Sequence, residues 1–149
     1  MVRAKPDDAS ILSAIAWAAK ALWGYPSHWM EQWREQLTIT PEFIARHDTF
    51  IGLLEQQPVG FHALVERQDA INLEHLWVAP EKIRQGIGRA LFQHAVQQAT
   101  VRQAVRLTIE ADPHAEPFYL RMGARRVGVI VSELDGERRE LPVLEFDLT

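Results

Sequence analysis

The stretch VAPEKIRQGIGRALF, from Val78 to Phe92, carries Gly86 and Gly88 where a strand pattern gives way to a helix pattern. Apolar residues then recur at helical spacing, at Ile87, Leu91, Ala95 and Ala99. Glycine has no Cβ, so backbone N–H groups at such a turn can approach a ligand closely. The helix start also directs its positive end towards the same place. The stretch therefore predicts a cradle for a phosphate or pyrophosphate.

Two familiar phosphate-binding motifs do not fit this stretch. A dinucleotide fingerprint needs a third glycine where Leu91 stands, and a P-loop needs Gly-Lys-Ser/Thr, which is missing. A tight strand-to-helix turn with no ligand explains an isolated Gly-x-Gly equally well. The two glycines alone therefore leave the ligand open.

The composition indicates one domain over residues 1–149. The chain is 47% hydrophobic, with a net charge of −4 and a pI near 5.8, which argues against a nucleic-acid partner and favours a cationic small molecule. There is no cysteine and no His-Glu-x-x-His pair, so disulfides, a cysteine nucleophile and a metal site are not expected. The N-terminal stretch lacks a long uncharged run, which predicts no signal peptide, no membrane span and a cytoplasmic location.

Periodicity and turn residues predict the order of elements. A first helix follows Asp7 and Asp8 and ends before Gly24, and a second helix covers Ser27 to Leu37. Three strands follow as an antiparallel meander, at Phe50 to Leu54, Val59 to Val65 and Ile71 to Val78.

After the helix that starts near Ile87, a strand alternates through Val105, Leu107 and Ile109. A helix then begins at Pro113, with Asp112 as its N-cap, and ends at Gly123. Two final strands, Val127 to Val131 and Val143 to Leu148, form a hairpin around Asp135-Gly136. The order predicts a mixed α/β (α+β) domain.

Three motifs resemble the GNAT family of N-acetyltransferases: Val78-x-Pro80, Gly86-Ile87-Gly88-Arg89-Ala90-Leu91 and Ala115-x-x-Phe118-Tyr119-x-x-x-Gly123-Ala124. The resemblance implies a central, mostly antiparallel sheet with helices on both faces, and acetyl-coenzyme A as co-substrate. It implies that Tyr119 is the general acid and that the pantetheine arm meets Leu76, Trp77 and Val78. The pyrophosphate would meet Arg84, Gln85, Gly86, Ile87, Gly88 and Arg89.

The chain departs from the family pattern at several positions. Arg84 stands where a glycine is common. Asp112 stands where the family often has an asparagine, and we expect it among the cofactor-binding residues. Where some members have a glutamate base, this chain has Asn72. Glu74, His75 and His62 are the nearest alternatives on the strands concerned, and we prefer Glu74.

The resemblance implies that the aromatic segment between the two N-terminal helices forms a wall of the acceptor pocket. Trp23 and Tyr25 lie in a turn and are the expected acceptor contacts, because aromatic faces beside acidic groups suit an ammonium ion. Trp29 and Trp33, one helical turn apart, fit either the pocket or the core.

The resemblance thus implies acetyl transfer to a primary amine of a small molecule or peptide, by direct attack in a ternary complex. Family habit suggests a homodimer. The alternative is a non-catalytic acyl-coenzyme A sensor or interaction module that keeps the cradle without the chemistry. The presence of Tyr119 argues for the enzyme.

Overall fold

A single seven-stranded sheet runs through the computed structural model, which describes residues 1–149. The strands are β1 Val2–Arg3, β2 Asp48–Leu54, β3 Gln57–Arg67, β4 Ala70–Val78, β5 Arg106–Glu110, β6 Arg125–Leu134 and β7 Glu137–Asp147. Their spatial order is β1-β2-β3-β4-β5-β7-β6, and every neighbouring pair is antiparallel except β4 and β5.

Six helices cover the sheet, together with two short 3-10 turns at Pro6–Asp8 and Pro80–Lys82. The helices are α1 Ala9–Ala21, α2 Ser27–Gln32, α3 Arg34–Leu37, α4 Pro41–Arg46, α5 Ile87–Val101 and α6 Glu116–Arg121. No helix is both long and apolar enough to cross a membrane.

Two hydrophobic cores lie on opposite faces of the sheet. The first core contains residues of the four helices α1, α2, α3 and α4 and side chains such as Phe61 of β3. The second contains residues of α5 and α6 and side chains such as Leu107 of β5. The predicted fold class, a mostly antiparallel sheet with helices on both faces, is confirmed.

The parallel strands β4 and β5 pair only at their beginnings. The pairs run from Ala70 with Arg106 to Asn72 with Thr108, and they stop there. The rest of β4 keeps its partner on the other side, where Leu76, Trp77 and Val78 pair with β3. The backbone of these three residues is therefore free along the side that faces β5.

A β-bulge changes the direction of β4 at Glu74. The register with β3 passes from Ala63 opposite His75 to Leu64 opposite Leu73, so Glu74 has no partner. Bulges of this kind redirect side chains, and they are frequent next to active sites. After the bulge, Leu76 packs against the same core as Leu73.

Several predicted element boundaries were wrong. The helix expected from Ser27 to Leu37 is two helices, because the chain turns at Trp33. The helix expected at Pro113 begins at Glu116, and Asp112 instead accepts a hydrogen bond from the His114 amide in the preceding turn. Helix α4 and the two-residue strand β1 were missed.

Candidate active site

A cavity of about 480 Å³ lies where the end of β4 meets the start of α5 and helix α6. Nine of the residues expected at the site line it: Trp23, Leu76, Trp77, Val78, Arg84, Gly86, Gly88, Arg89 and Tyr119. The others lie outside its lining: Tyr25, Glu74, Gln85, Ile87 and Asp112. The roles of all these residues remain predictions.

The two glycines of the turn are required for different reasons. Gly86 has a φ of +80°, and a Cβ built on it would meet no protein atom within 4 Å, so its outer side faces open space. A Cβ on Gly88 would lie 3.3 Å from the Phe118 ring and 3.7 Å from Val78. Gly88 therefore allows α5 to pack closely on α6, whereas Gly86 leaves room in the cavity.

The start of α5 presents unpaired backbone donors to the cavity. The first helical hydrogen bond runs from the Ala90 amide to the Gly86 carbonyl, and no side chain caps the helix. The amides of Ile87, Gly88 and Arg89 consequently have no partner within the helix. Free amides and the positive end of a 15-residue helix suit an anion.

Unpaired arginines concentrate at this cavity. Nine of the thirteen arginines lie within 3.8 Å of a carboxylate oxygen, and the longest of these contacts is that of Arg139 with Asp112. The arginines without an ion pair are Arg46, Arg84, Arg89 and Arg121, and all of these except Arg46 line the cavity. Arg121 was missed from the sequence, because only the fold carries the end of α6 to the cavity.

Arg84 has an unusual backbone conformation. Its φ of +63° lies in the left-handed region, which costs free energy for any residue with a Cβ. This is the position at which the resembled family often has glycine. Arg84 therefore adopts the backbone conformation of that glycine and adds a positive charge to the cavity lining.

Tyr119 lies in the hydrophobic core and also lines the cavity. Its side chain is only 7% exposed and packs against the rings of Phe92 and Phe118, while it also lines the cavity. Burial raises the pKa of Tyr119 above its ordinary value. The phenol is therefore neutral at physiological pH and can donate a proton.

Neither of the two histidine candidates is well placed to act as the general base. The indole Nε1 of Trp77 donates to Nδ1 of His75 over 3.1 Å, so the basic nitrogen of His75 is already used. Burial lowers the pKa of His75 to about 4. His62 is fully buried, and its Nε2 lies 2.9 Å from Nδ1 of His94 on α5, outside the cavity lining.

Glu74 is partly accessible at the bulge of β4. One of its carboxylate oxygens lies 3.1 Å from the side-chain amide of Asn72 and 3.5 Å from the Arg67 guanidinium. Its side chain is 28% exposed, but it does not line the cavity. Glu74 lies on the strand that borders the cavity, and its role as base remains a prediction.

A charged cluster borders the cavity beside Trp23. The Trp23 ring stacks on His114 at 5.3 Å, and both side chains line the cavity. His114 in turn lies 3.0 Å from an oxygen of Asp112. The other oxygen of Asp112 accepts from Lys20 over 3.0 Å, and the Tyr25 hydroxyl donates to the carboxylate over 2.9 Å.

The pKa values in this cluster follow from burial and from the ion pair. Burial alone would raise the pKa of Asp112, but Lys20 and the His114 hydrogen bonds lower it below the ordinary value. Burial lowers the pKa of Lys20, although Asp112 partly opposes this shift. Burial and the Asp112 charge raise the pKa of Tyr25.

The aromatic faces of this region already hold cations of the protein. The Lys20 ammonium lies 4.0 Å from the centre of the Trp33 ring, and the Arg139 guanidinium lies 5.0 Å from it. Both also lie over Tyr25, at 5.5 Å and 5.3 Å. At Tyr25, one of the two expected acceptor contacts, an ammonium would therefore compete with two positive charges of the protein, whereas the Trp23 ring stacks on His114.

The fold is a mixed α/β domain with a cavity at the start of helix α5. The family model described as "Acetyltransferase (GNAT) domain" matches residues 15–134. The chain belongs to this family, and the resemblance stated from the sequence is confirmed.

Two curated relatives and one solved structure illustrate the similarity. The chain is 28% identical over 96 residues to the uncharacterized N-acetyltransferase YafP of Escherichia coli (strain K12), covering 64% of this chain and 53% of that protein. It is 26% identical over 83 residues to the peptidyl-lysine N-acetyltransferase YiaC of the same organism, covering 55% of each. The chain thus spans about half the length of the curated relatives it matches.

The solved structure of PaiA N-acetyltransferase from Thermoplasma acidophilum, in complex with coenzyme A, has a TM-score of 0.77 to this chain. The identity is 18%, and the match covers 97% of this chain and 96% of that one. At this identity the likeness establishes the shared fold.

Proposed function

We propose that the chain is an acetyl-coenzyme A-dependent N-acetyltransferase that transfers an acetyl group to a primary amine. The observation that carries the proposal is one cavity that combines the free amides of α5, three unpaired arginines and the buried Tyr119. The complex of PaiA with coenzyme A and the N-acetyltransferase names of both relatives support it.

Acetyl-coenzyme A suits the residues of the cavity. Its pyrophosphate would bind the amides from Ile87 to Arg89, where a Cβ at Gly86 would occupy the open space. Its pantetheine amides would pair with the free side of β4 at Leu76 to Val78. The thioester would then lie towards Tyr119.

In the proposed reaction the amine attacks the thioester directly in a ternary complex. The amine nitrogen forms a bond to the carbonyl carbon, and the bond from that carbon to sulfur breaks. Glu74, acting through a water molecule, would take the proton that the amine loses. Tyr119 would give its proton to the departing sulfur, so the products are an amide and coenzyme A thiol. Glu74 would then release its proton to water and Tyr119 would take one up from water, which restores both groups.

The burial of Tyr119 affects how favourable this proton transfer is, because the transfer depends on the pKa values of the phenol and of the leaving thiol. An ordinary thiol has a pKa of about 8.5, below the ordinary tyrosine value of about 10, so donation to a solvated thiolate would be unfavourable. A thiolate that forms in an apolar cavity is also destabilised by burial, which raises its proton affinity. Burial therefore raises the pKa of both the phenol and the leaving thiol, and the phenol can assist without becoming permanently charged.

The acceptor that we propose is an amine of a small molecule or a peptide. One relative is named a peptidyl-lysine N-acetyltransferase, which makes a peptide amine a reasonable probe. Association into a homodimer and a cytoplasmic location remain predictions.

The test is an assay of thiol release from acetyl-coenzyme A with a panel of small amines and lysine peptides, for the wild type and Tyr119→Phe. This change removes one oxygen and keeps the ring in the core. We expect kcat to fall at least tenfold, because general acid catalysis typically contributes about 10²–10⁴-fold. The Kd of acetyl-coenzyme A should change less than about threefold.

An unchanged kcat would remove the acid role from Tyr119. If the chain binds acetyl-coenzyme A but releases no thiol with any acceptor of the panel, it is instead the non-catalytic sensor.

A further inference from the structure

Arg139 is a nearly buried arginine with unused hydrogen-bonding capacity. It lies on β7, its side chain is 12% exposed, and its guanidinium is within 5.6 Å of the ring centres of Tyr25, Trp29 and Trp33. Its one hydrogen bond to the protein runs from Nη2 to the Tyr25 hydroxyl over 3.0 Å. Guanidinium has five N–H donors, so most of them have no protein acceptor.

The nearest acidic group does not satisfy Arg139. An oxygen of Asp112 lies 3.8 Å from Nη2, which is too long for a hydrogen bond. The Asp112 carboxylate is already occupied by Lys20, by the Tyr25 hydroxyl and by the backbone amide of His114. Arg139 is therefore a second cation beside an ion pair that is complete without it.

The cluster of Lys20, Asp112 and Arg139 has an excess of positive charge. The three side chains are 14%, 6% and 12% exposed, so solvent screens their charges less than those of a surface cluster. The aromatic faces are turned to the two cations, which disfavours a cationic group of a ligand. A planar anion suits the free fork of Arg139, because guanidinium matches a carboxylate with two parallel hydrogen bonds.

This cluster adjoins the cavity through His114. The His114 side chain lines the cavity, and its Nδ1 lies 3.0 Å from the Tyr25 hydroxyl to which Arg139 donates. A small molecule could therefore contact Arg139 at one end and enter the cavity beside Trp23 and His114 at the other.

We propose that Arg139, supported by Lys20, is the carboxylate-binding subsite of the acceptor, so that the acceptor is an amine that also carries a carboxylate. This inference rests on the proposed function. The carboxylate can belong to a free amino acid or to a peptide, and the experiment separates these two sources.

The test compares matched acceptors that differ only in the carboxylate. Thiol release from acetyl-coenzyme A is measured with the standard amino acids and their carboxamides, and with lysine peptides whose C-termini are free or amidated. We expect kcat/KM for the best carboxylate acceptor to exceed that of its carboxamide at least tenfold, mainly through a lower KM. A preference confined to the free amino acids identifies the first source, and one shared by peptides identifies the second.

Variants assign the preference to Arg139. Arg139→Gln should reduce the carboxylate-to-carboxamide ratio at least tenfold, and Arg139→Lys should retain part of it, because it keeps the charge and loses the fork. The matched control is Arg138→Gln at the neighbouring position, where the side chain is 65% exposed and pairs with Glu140. This control should keep the ratio of the wild type.

A ratio near one in the wild type, or a ratio that Arg139→Gln leaves intact, would overturn the inference while thiol release itself upholds the proposed function. If no acceptor is turned over, the tryptophans beside Arg139 report binding by fluorescence in the presence of coenzyme A. Amino acids that bind no more tightly than their carboxamides would then also overturn it. If Arg139→Gln does not fold, the carboxylate-to-carboxamide ratio of Arg139→Lys decides. A ratio below that of the wild type supports the inference, and an unchanged ratio overturns it.

Discussion

Gly86 and Gly136 have nearly the same backbone geometry in two different places. Their φ angles are +80° and +78°, and a Cβ on either would meet no protein atom within 4 Å. Gly86 lines the cavity at the start of α5, whereas Gly136 lies in the turn between β6 and β7. A side chain at either position costs similar backbone strain. If valine replaces each glycine in turn, a difference in acetyl-coenzyme A affinity between the two variants therefore reports contact with the ligand and not backbone strain.

Gly86→Val should weaken acetyl-coenzyme A binding at least tenfold, which corresponds to about 1.4 kcal/mol. The branched side chain would occupy the open space beside the α5 amides, where the proposed pyrophosphate binds. Gly136→Val should lose similar stability and keep the Kd of the wild type. Calorimetric titration of both variants checks this, and a normal Kd for folded Gly86→Val would locate the cradle elsewhere.

Arg121→Gln should weaken acetyl-coenzyme A binding about threefold to tenfold. Arg121 lines the cavity without an ion-pair partner, and its charge is positioned to attract phosphate groups. Its contribution should shrink as salt is raised, because screening weakens exposed charges. Arg46→Gln, which removes the unpaired arginine outside the cavity lining, is the control and should change nothing. Equal affinities for the two variants at low salt would contradict the assignment.

The buried histidines should make the fold sensitive to acid. Burial, together with His94, lowers the pKa of His62 to about 3 from an ordinary value of 6.5. The native state therefore favours the neutral form, and this stabilisation is present above pH 6.5 and is lost as the pH falls towards 3. At pH 5.5 the loss from His62 should be on the order of 1 kcal/mol.

The free energy of unfolding in urea at pH 7.5 and pH 5.5 measures this effect. His62→Phe should show a drop in unfolding free energy between the two pH values that is smaller than that of the wild type by on the order of 1 kcal/mol. His75, whose pKa burial lowers to about 4, should keep a drop of its own in this variant. Equal drops in the two proteins would show that His62 is not held neutral in the native state.

The parts of the fold that depend on local pattern were predictable from the sequence. The left-handed φ of Gly86 and the start of α5 at Ile87 follow from residue types that act within one turn. The antiparallel meander of β2, β3 and β4 follows from alternating apolar residues between turn residues.

The parts that depend on distant neighbours were not predictable. The bulge at Glu74 exists only in the pairing of β4 with β3, and the position of Arg121 depends on where α6 packs. Arg139 meets Tyr25 across 114 positions of sequence, so neither residue carries a local signal of the other. The acceptor contacts of Trp23 and Tyr25 stay a prediction, and no local pattern signals that Lys20 and Arg139 lie over the Tyr25 ring.

Thermal unfolding of the wild type with and without acetyl-coenzyme A tests the central claim most directly. A ligand that binds only the native state at one hundred times its Kd adds about 2.7 kcal/mol of stability. For a chain of this length that should raise the Tm by about 5 °C or more. An unchanged Tm at millimolar acetyl-coenzyme A would contradict the cradle and the proposed reaction together.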